Sequence, residues 1–298
     1  MFVFYSRGYH FAALGAHIFP LLKYEAIHRV LAARGGFQFL EPQPASWDDL
    51  ALVHTPDFIR KAQTDGFSPA EIRRLELPWS HEGMEQLRLM TGGTLAAARL
   101  ALDPASGGIV GNIGGGFHHA FPDHGEGFCL FNDVAMAIKA LRRDGRIGRA
   151  AVIDCDAHHG NGTAAIFGDD PTVFTFSMHT DDNYPAEKPA GSLDIGLARR
   201  TRDAEYLALL GAALPRVIAS SPEIAFYVSG GDVYEDDQIG GLGLSKAGAR
   251  QRDRLVLQAC RAAGVPTVIV LAGGYPRSLE DLVDIQAATF EEALSLVP

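Results

Sequence analysis

Between residues 108 and 275 the chain alternates short apolar runs with longer stretches of helical period. The runs are Gly108-Ile109-Val110-Gly111, Ala150-Ala151-Val152-Ile153, Val173-Phe174-Thr175-Phe176, Ile224-Ala225-Phe226-Tyr227-Val228 and Thr267-Val268-Ile269-Val270-Leu271. They are nearly continuous rather than alternating, which is the pattern of strands buried on both faces. Phe2-Val3-Phe4-Tyr5 reads as a first strand. Leu207, Leu210, Leu214 and Val217 share one helix face. Glu82–Leu102, Asn132–Arg143 and Ser245–Ala263 also read as helices. Strand alternating with helix predicts an α/β fold, a mostly parallel sheet covered on both faces. In such sheets ligands bind beyond the carboxyl ends of the strands.

That rule picks out four segments. Gly114-Gly115-Gly116-Phe117-His118-His119 follows the run at 108–111, and Asp154-Cys155-Asp156-Ala157-His158-His159-Gly160-Asn161-Gly162 follows 150–153. Ser229-Gly230-Gly231-Asp232 follows 224–228, and Ala272-Gly273-Gly274-Tyr275 follows 267–271. Buried charge is costly unless paired or bound to metal. Asp156 and His158 are two apart, so on extended backbone they point to one side. With Asp232 they make a carboxylate–imidazole set of the zinc type, and a catalytic zinc takes three protein ligands. Taken alone, Asp232 reads equally as a turn residue, the histidines as caps and Tyr275 as core. Beside a metal, His118 and His119 become a general acid–base pair. Asp154 becomes a carboxylate that orients one of them, and Tyr275 a donor to an oxyanion.

Composition narrows the picture. The 298 residues are 47% hydrophobic and carry a net charge of -10. No linker, low-complexity block or repeat interrupts them, so 1–298 reads as a single catalytic domain. The acidic balance argues against nucleic-acid binding. No run of about 18 apolar residues announces a membrane span. The apolar stretch Met1–Leu22 lacks a basic flank and is broken by Arg7 and His10, so it does not read as a signal peptide. Cys129, Cys155 and Cys260 are scattered and odd in number, which points to the reducing cytoplasm. The glycine run opens no phosphate-binding motif, and no serine sits in a nucleophile elbow.

Taken in order, Gly-Gly-Phe-His-His-Ala (115–120), Gly-Glu-Gly-Phe-Cys-Leu-Phe-Asn-Asp (125–133), Asp-x-Asp-x-His-His-Gly-Asn-Gly (154–162), Ser-Gly-Gly-Asp (229–232) and Gly-Gly-Tyr (273–275) resemble the zinc-dependent histone deacetylase family. Tyr5-Ser6-Arg7, His17-x-Phe19-Pro20, Lys23-Tyr24, Gly92-Gly93-Thr94 and Gly-Gly-Asp in place of Gly-Phe-Asp look most like the class IV branch and its bacterial relatives, the histone deacetylase-like amidohydrolases. The resemblance implies the three-layer arginase/deacetylase fold, with one Zn²⁺ on Asp156, His158 and Asp232. It implies His119 as general base and acid, oriented by Asn161, and His118 as its electrostatic partner, paired with Asp154. Tyr275 would bond the oxyanion. Gly127 and Phe128 would grip the acyl-lysine stem, with Gly273 and Tyr184 also contacting substrate. Tyr184 would lie in a rim loop spanning 180–196. A structural K⁺ would lie near Asp154, Asp156, His158, Ser177 and Met178. Class I members carry aspartate where this chain has Asn161. A neutral amide stabilises protonated His119 less, so Asn161→Asp is expected to move the acidic limb of kcat/KM.

The implied activity is hydrolysis of acyl-lysine in a protein or peptide, with acetyl or a long fatty chain as the acyl group. A small acylated amine such as an acetylpolyamine is the alternative substrate. An arginase-type binuclear manganese site is disfavoured by Ala157, Gly160 and Asn161 around His158. A non-catalytic acyl-lysine reader is disfavoured because every catalytic position is filled. Oligomeric state and physiological substrate leave no mark in the sequence.

Overall fold

The computed structural model describes residues 1–10 and 17–297, so part of the apolar stretch Met1–Leu22 lies outside the described residues. Eight strands form one sheet: β1 (Phe2–Phe4), β2 (Gln38–Leu40), β3 (Ile109–Asn112), β4 (Ala150–Asp154), β5 (Val173–Thr180), β6 (Leu193–Leu197), β7 (Ala225–Ser229) and β8 (Thr267–Leu271). Among the described residues, ten α-helices accompany these eight strands: α1 (Lys23–Arg34), α2 (Trp47–Leu50), α3 (Pro56–Gln63), α4 (Pro69–Leu75), α5 (His81–Ala101), α6 (Asp133–Arg143), α7 (Asn161–Phe167), α8 (Asp203–Ala219), α9 (Lys246–Ala262) and α10 (Leu279–Leu294).

The strand order is β2-β1-β3-β8-β7-β4-β5-β6, and every neighbouring pair is parallel. The four strands with chemistry at their ends, β3, β8, β7 and β4, are therefore the four central neighbours. All their carboxyl ends open on one edge. Register keeps those ends level: Asp154 faces Val228, and Val228 faces Val270. Helices flank the sheet, with α1, α10, α9 and α8 packed in a row and α5 packed on α6 and β3.

The central strands match the apolar runs within a residue or two, except that β5 continues to Thr180. The two edge strands β2 and β6 are not foreshadowed. Edge strands lack a second apolar face, and β6 alternates between half-buried and exposed positions. Its presence corrects the reading of 180–196 as one loop, because residues 193–197 pair with β5. Helix α8 also differs in detail, since Tyr206, not Leu207, completes its buried stripe.

Candidate active site

The glycine-rich loop after β3 is anchored from beneath. Gly116 and Phe117 donate their backbone N–H groups to the Asp133 carboxylate at 3.0 and 2.8 Å, and the Thr94 hydroxyl donates to it at 2.6 Å. Gly115 and Gly116 have φ of 81° and 78°, backbone that side chains disfavour. This turn delivers His118 and His119 side by side, with ring centroids 4.0 Å apart. Thr94 thus has a role within the Gly92-Gly93-Thr94 helix, holding the carboxylate that shapes the loop.

His118 Nδ1 lies 2.7 Å from Asp154 Oδ2, and His119 Nδ1 lies 2.7 Å from Asn161 Oδ1. Both rings are buried. Burial works against charge on His118, but the Asp154 and Asp156 carboxylates overcome it and raise its pKa to about 9. Burial also lowers His119, and with His118 charged beside it the imidazole is held well below its ordinary value. One ring is therefore kept cationic and the other neutral.

Asp156, His158 and Asp232 each offer a ligand atom, and these atoms lie within 4.8 Å of one another. His158 Nδ1 is 3.1 Å from Asp156 Oδ1 and 3.0 Å from Asp232 Oδ2, while its Nε2 faces the Ile239 carbonyl at 3.3 Å. An N–H on Nε2 leaves the Nδ1 lone pair for a metal, as outer partners of ligating histidines commonly arrange. The other carboxylate oxygens are held by backbone: Ala157 N–H donates to Asp232 Oδ1 at 2.9 Å and Gly273 N–H to Asp156 Oδ2 at 2.8 Å. Burial and then the adjacent Asp156 charge push Asp232 up to about 7. Two buried carboxylates this close repel, and a divalent cation between them relieves both the repulsion and the desolvation. The donor set and its burial fit Zn²⁺.

The cavity here is lined by Phe19, Tyr24, Gly127, Phe128 and Tyr275 together with His118, His119, Asp156 and His158. Its volume is about 30 Å³. Phe128 has φ of 67° and stacks edge-on with Phe19 at 5.7 Å. Burial, then the Asp156 charge, keeps the Tyr275 phenol well above its ordinary pKa and hence protonated. Tyr184 stands edge-on to His119 at 5.0 Å and is partly exposed, at the rim. In place of Phe in Gly-Phe-Asp, Gly231 leaves room for Leu282 of α10, which a Cβ would meet at 2.5 Å. Asp154 and Ser177 face each other across β4 and β5.

Two contributors went unassigned in the sequence. Glu126, inside the Gly-Glu-Gly-Phe motif, accepts from Asn161 Nδ2 at 2.5 Å and from Arg74 Nε at 3.0 Å. Burial tends to raise its pKa, and the surrounding donors His124, Asn161 and Arg74 overcome that and hold it at about 2. This changes the Asn161→Asp expectation, because the new carboxylate would meet the Glu126 carboxylate as well as His119. Arg252 of α9 is fully buried and donates to the Gly230 carbonyl at 2.6 Å and the Cys155 carbonyl at 3.2 Å. It ties together the two loops that carry Asp156 and Asp232.

A family model described as histone deacetylase domain matches residues 17–290. An uncharacterized protein of Picosynechococcus is 40% identical over 271 residues, covering 90% of this chain and 89% of its own. Histone deacetylase 2 of Arabidopsis thaliana is 31% identical over 298 residues, covering 93% of this chain and 75% of its own. Among solved structures, an acetylpolyamine aminohydrolase from Burkholderia pseudomallei has a TM-score of 0.80 at 22% identity, covering 98% of each chain. The similarity in fold thus extends across the chain, and the matched segment contains every side chain that meets at the central strand ends: this chain belongs to the histone deacetylase family.

Proposed function

We propose that the chain is a zinc-dependent amidohydrolase that removes acetyl groups from lysine side chains. The observation that carries this reading is the buried Asp156–His158–Asp232 cluster set beside two imidazoles of opposite charge preference, beneath an aromatic-walled cavity. A Zn²⁺ held by the cluster supplies Lewis-acid polarisation of the amide carbonyl and acidifies a water. His119, with its Nδ1–H given to Asn161, has Nε2 free to take the proton of the attacking water and return it to the leaving amine. Cationic His118 offsets negative charge that develops beside it. The Tyr275 O–H donates to the oxyanion. Gly127 and Phe128 leave a narrow channel for the lysine stem, whose burial contributes about 0.8 kcal/mol per CH₂. A structural K⁺ beside Asp154 and Ser177 and a cytoplasmic location complete the reading. All three cysteines are buried free thiols, which accords with a reducing compartment.

The likeness to an acetylpolyamine aminohydrolase and the net charge of -10 favour a second reading, an acetylated small amine as substrate. One hydrolysis panel separates the two: lysine peptides bearing acetyl through myristoyl, and acetylpolyamines, with Tyr275→Phe as the control and zinc counted per chain. Cleavage of acetyl-lysine peptides with a dead control supports the first reading. Cleavage of polyamines alone moves the substrate. Two metals per chain, or no cleavage by zinc-loaded protein, overturns it.

A further inference from the structure

Four polar groups run in line from the surface to the cavity. Arg74 Nε lies 3.0 Å from Glu126 Oε2, Glu126 Oε1 lies 2.5 Å from Asn161 Nδ2, and Asn161 Oδ1 lies 2.7 Å from His119 Nδ1. Glu126, Asn161 and His119 are buried, and Arg74 is half-exposed. The direction of every bond follows from what each group can do. A guanidinium only donates and an ionised carboxylate only accepts. The side of the Asn161 amide that faces Glu126 must therefore be its NH₂, because the amide oxygen there would meet a carboxylate oxygen. The oxygen then faces His119 and can only accept, so the His119 proton sits on Nδ1. Its Nε2 is left as a bare lone pair.

From this we infer that Glu126 is a positioning residue that selects the His119 tautomer. It acts through the Asn161 amide and touches neither substrate nor metal. The inference deepens the proposed hydrolase reading and rests on it for its catalytic meaning. It also explains why position 161 is an amide here. With Glu126 present, that side chain must donate on one side and accept on the other, which Asn does and Asp does not.

The line can be reversed by chemistry alone. In Glu126→Gln the new amide oxygen is claimed by Arg74, so its NH₂ faces position 161. The Asn161 amide turns over, its NH₂ faces His119 Nδ1, and the imidazole proton moves to Nε2, where it blocks the base. In Asn161→Asp two carboxylates oppose each other. In the double variant Glu126→Gln with Asn161→Asp, the aspartate accepts from both sides and Nδ1–H returns.

The test is a two-by-two set of these variants, zinc-loaded, read in two ways. Imidazole ¹⁵N NMR, with His119 assigned by its absence in His119→Phe, should show Nδ1–H in wild type and in the double variant, and Nε2–H in Glu126→Gln. Glu126→Gln should lose kcat by about tenfold or more, since a base in the wrong tautomer is ineffective, whereas Asn161→Asp, whose carboxylate only accepts, should keep Nδ1–H on His119. KM should stay within about twofold, and the double variant should recover most of the lost rate. Losses that simply multiply in the double variant, or Nδ1–H persisting in Glu126→Gln, would overturn the inference. Should Glu126→Gln not fold, Glu126→Ala replaces it, and two mixed His119 tautomers are then the expected result, with a single Nδ1–H form overturning the inference. The NMR readout needs no turnover. Failure of the hydrolase reading would leave the tautomer result standing, and failure of the tautomer result would leave the activity untouched.

Discussion

Lys23 opens helix α1 and is 1% exposed. Its ammonium donates to the Ala272 carbonyl at 2.6 Å and lies 5.3 Å from the Tyr24 ring centre. Among the described residues no carboxylate lies within 4.0 Å of it. Burial therefore lowers its pKa from 10.5 to about 8, although Asp156, Asp232 and Asp237 pull the other way. The gap corresponds to about 3 kcal/mol of cost for keeping Lys23 charged in the fold at neutral pH. Lys23→Met removes that cost, but leaves the Ala272 carbonyl without its donor, a loss of about 1–3 kcal/mol. The two nearly cancel at pH 7, so stability at one pH decides little. The slope decides. Between pH 8 and 10.5 the unfolded chain holds the Lys23 proton and the folded chain does not, so the lysine protein gains stability as pH rises. Urea denaturation of both proteins across pH 7–10.5 should show wild type gaining about 3 kcal/mol on Lys23→Met. Parallel curves would mean that Lys23 is stabilised in its charged form, and the argument from burial would be wrong.

Three further outcomes follow from other buried groups. Arg252→Met leaves Asp253 buried without its guanidinium partner and frees the Cys155 and Gly230 carbonyls, so urea denaturation should show a loss of about 3–5 kcal/mol and zinc titration a weaker site. In Gly162→Ala the new Cβ would stand 2.3 Å from the Ala120 carbonyl oxygen and 2.7 Å from the His119 backbone carbon. The backbone must shift, at a cost of about 1–3 kcal/mol, so both Tm and kcat should fall. His54, whose ring nitrogens meet the Phe121 carbonyl and the Asn132 N–H, is lowered by burial from 6.5 to about 4. Only the unfolded chain binds its proton in that window, so stability should fall by about 3 kcal/mol as pH drops from 6.5 to 4 and then level off. Denaturation of His54→Asn over the same range should lack that component.

What the sequence could disclose follows from how each residue meets solvent. β3, β4, β7 and β8 are covered on both faces, so their runs are unbroken and their ends could be searched for chemistry. That search reached Asp156, His158, Asp232, His118, His119 and Tyr275 because each stands just beyond such a run. β2 and β6 lie at the edges, where half-solvated positions erase the run. Charged residues folded inward from helices and turns give no such cue. Arg250, Arg252 and Arg254 look equivalent in a polar stretch, yet Arg250 and Arg254 pair with Glu292 near the surface while Arg252 is fully buried. The difference is rotation about α9. Ala249, Arg252, Asp253, Val256, Leu257 and Cys260 make one buried face, so an Arg-Asp pair at 3–4 spacing with apolar residues was the available cue. Glu126 offered less, because its partner Asn161 is 35 residues away. Only the fold brings the two together, which is why the identity of position 161 is explained by a contact rather than by the motif that contains it.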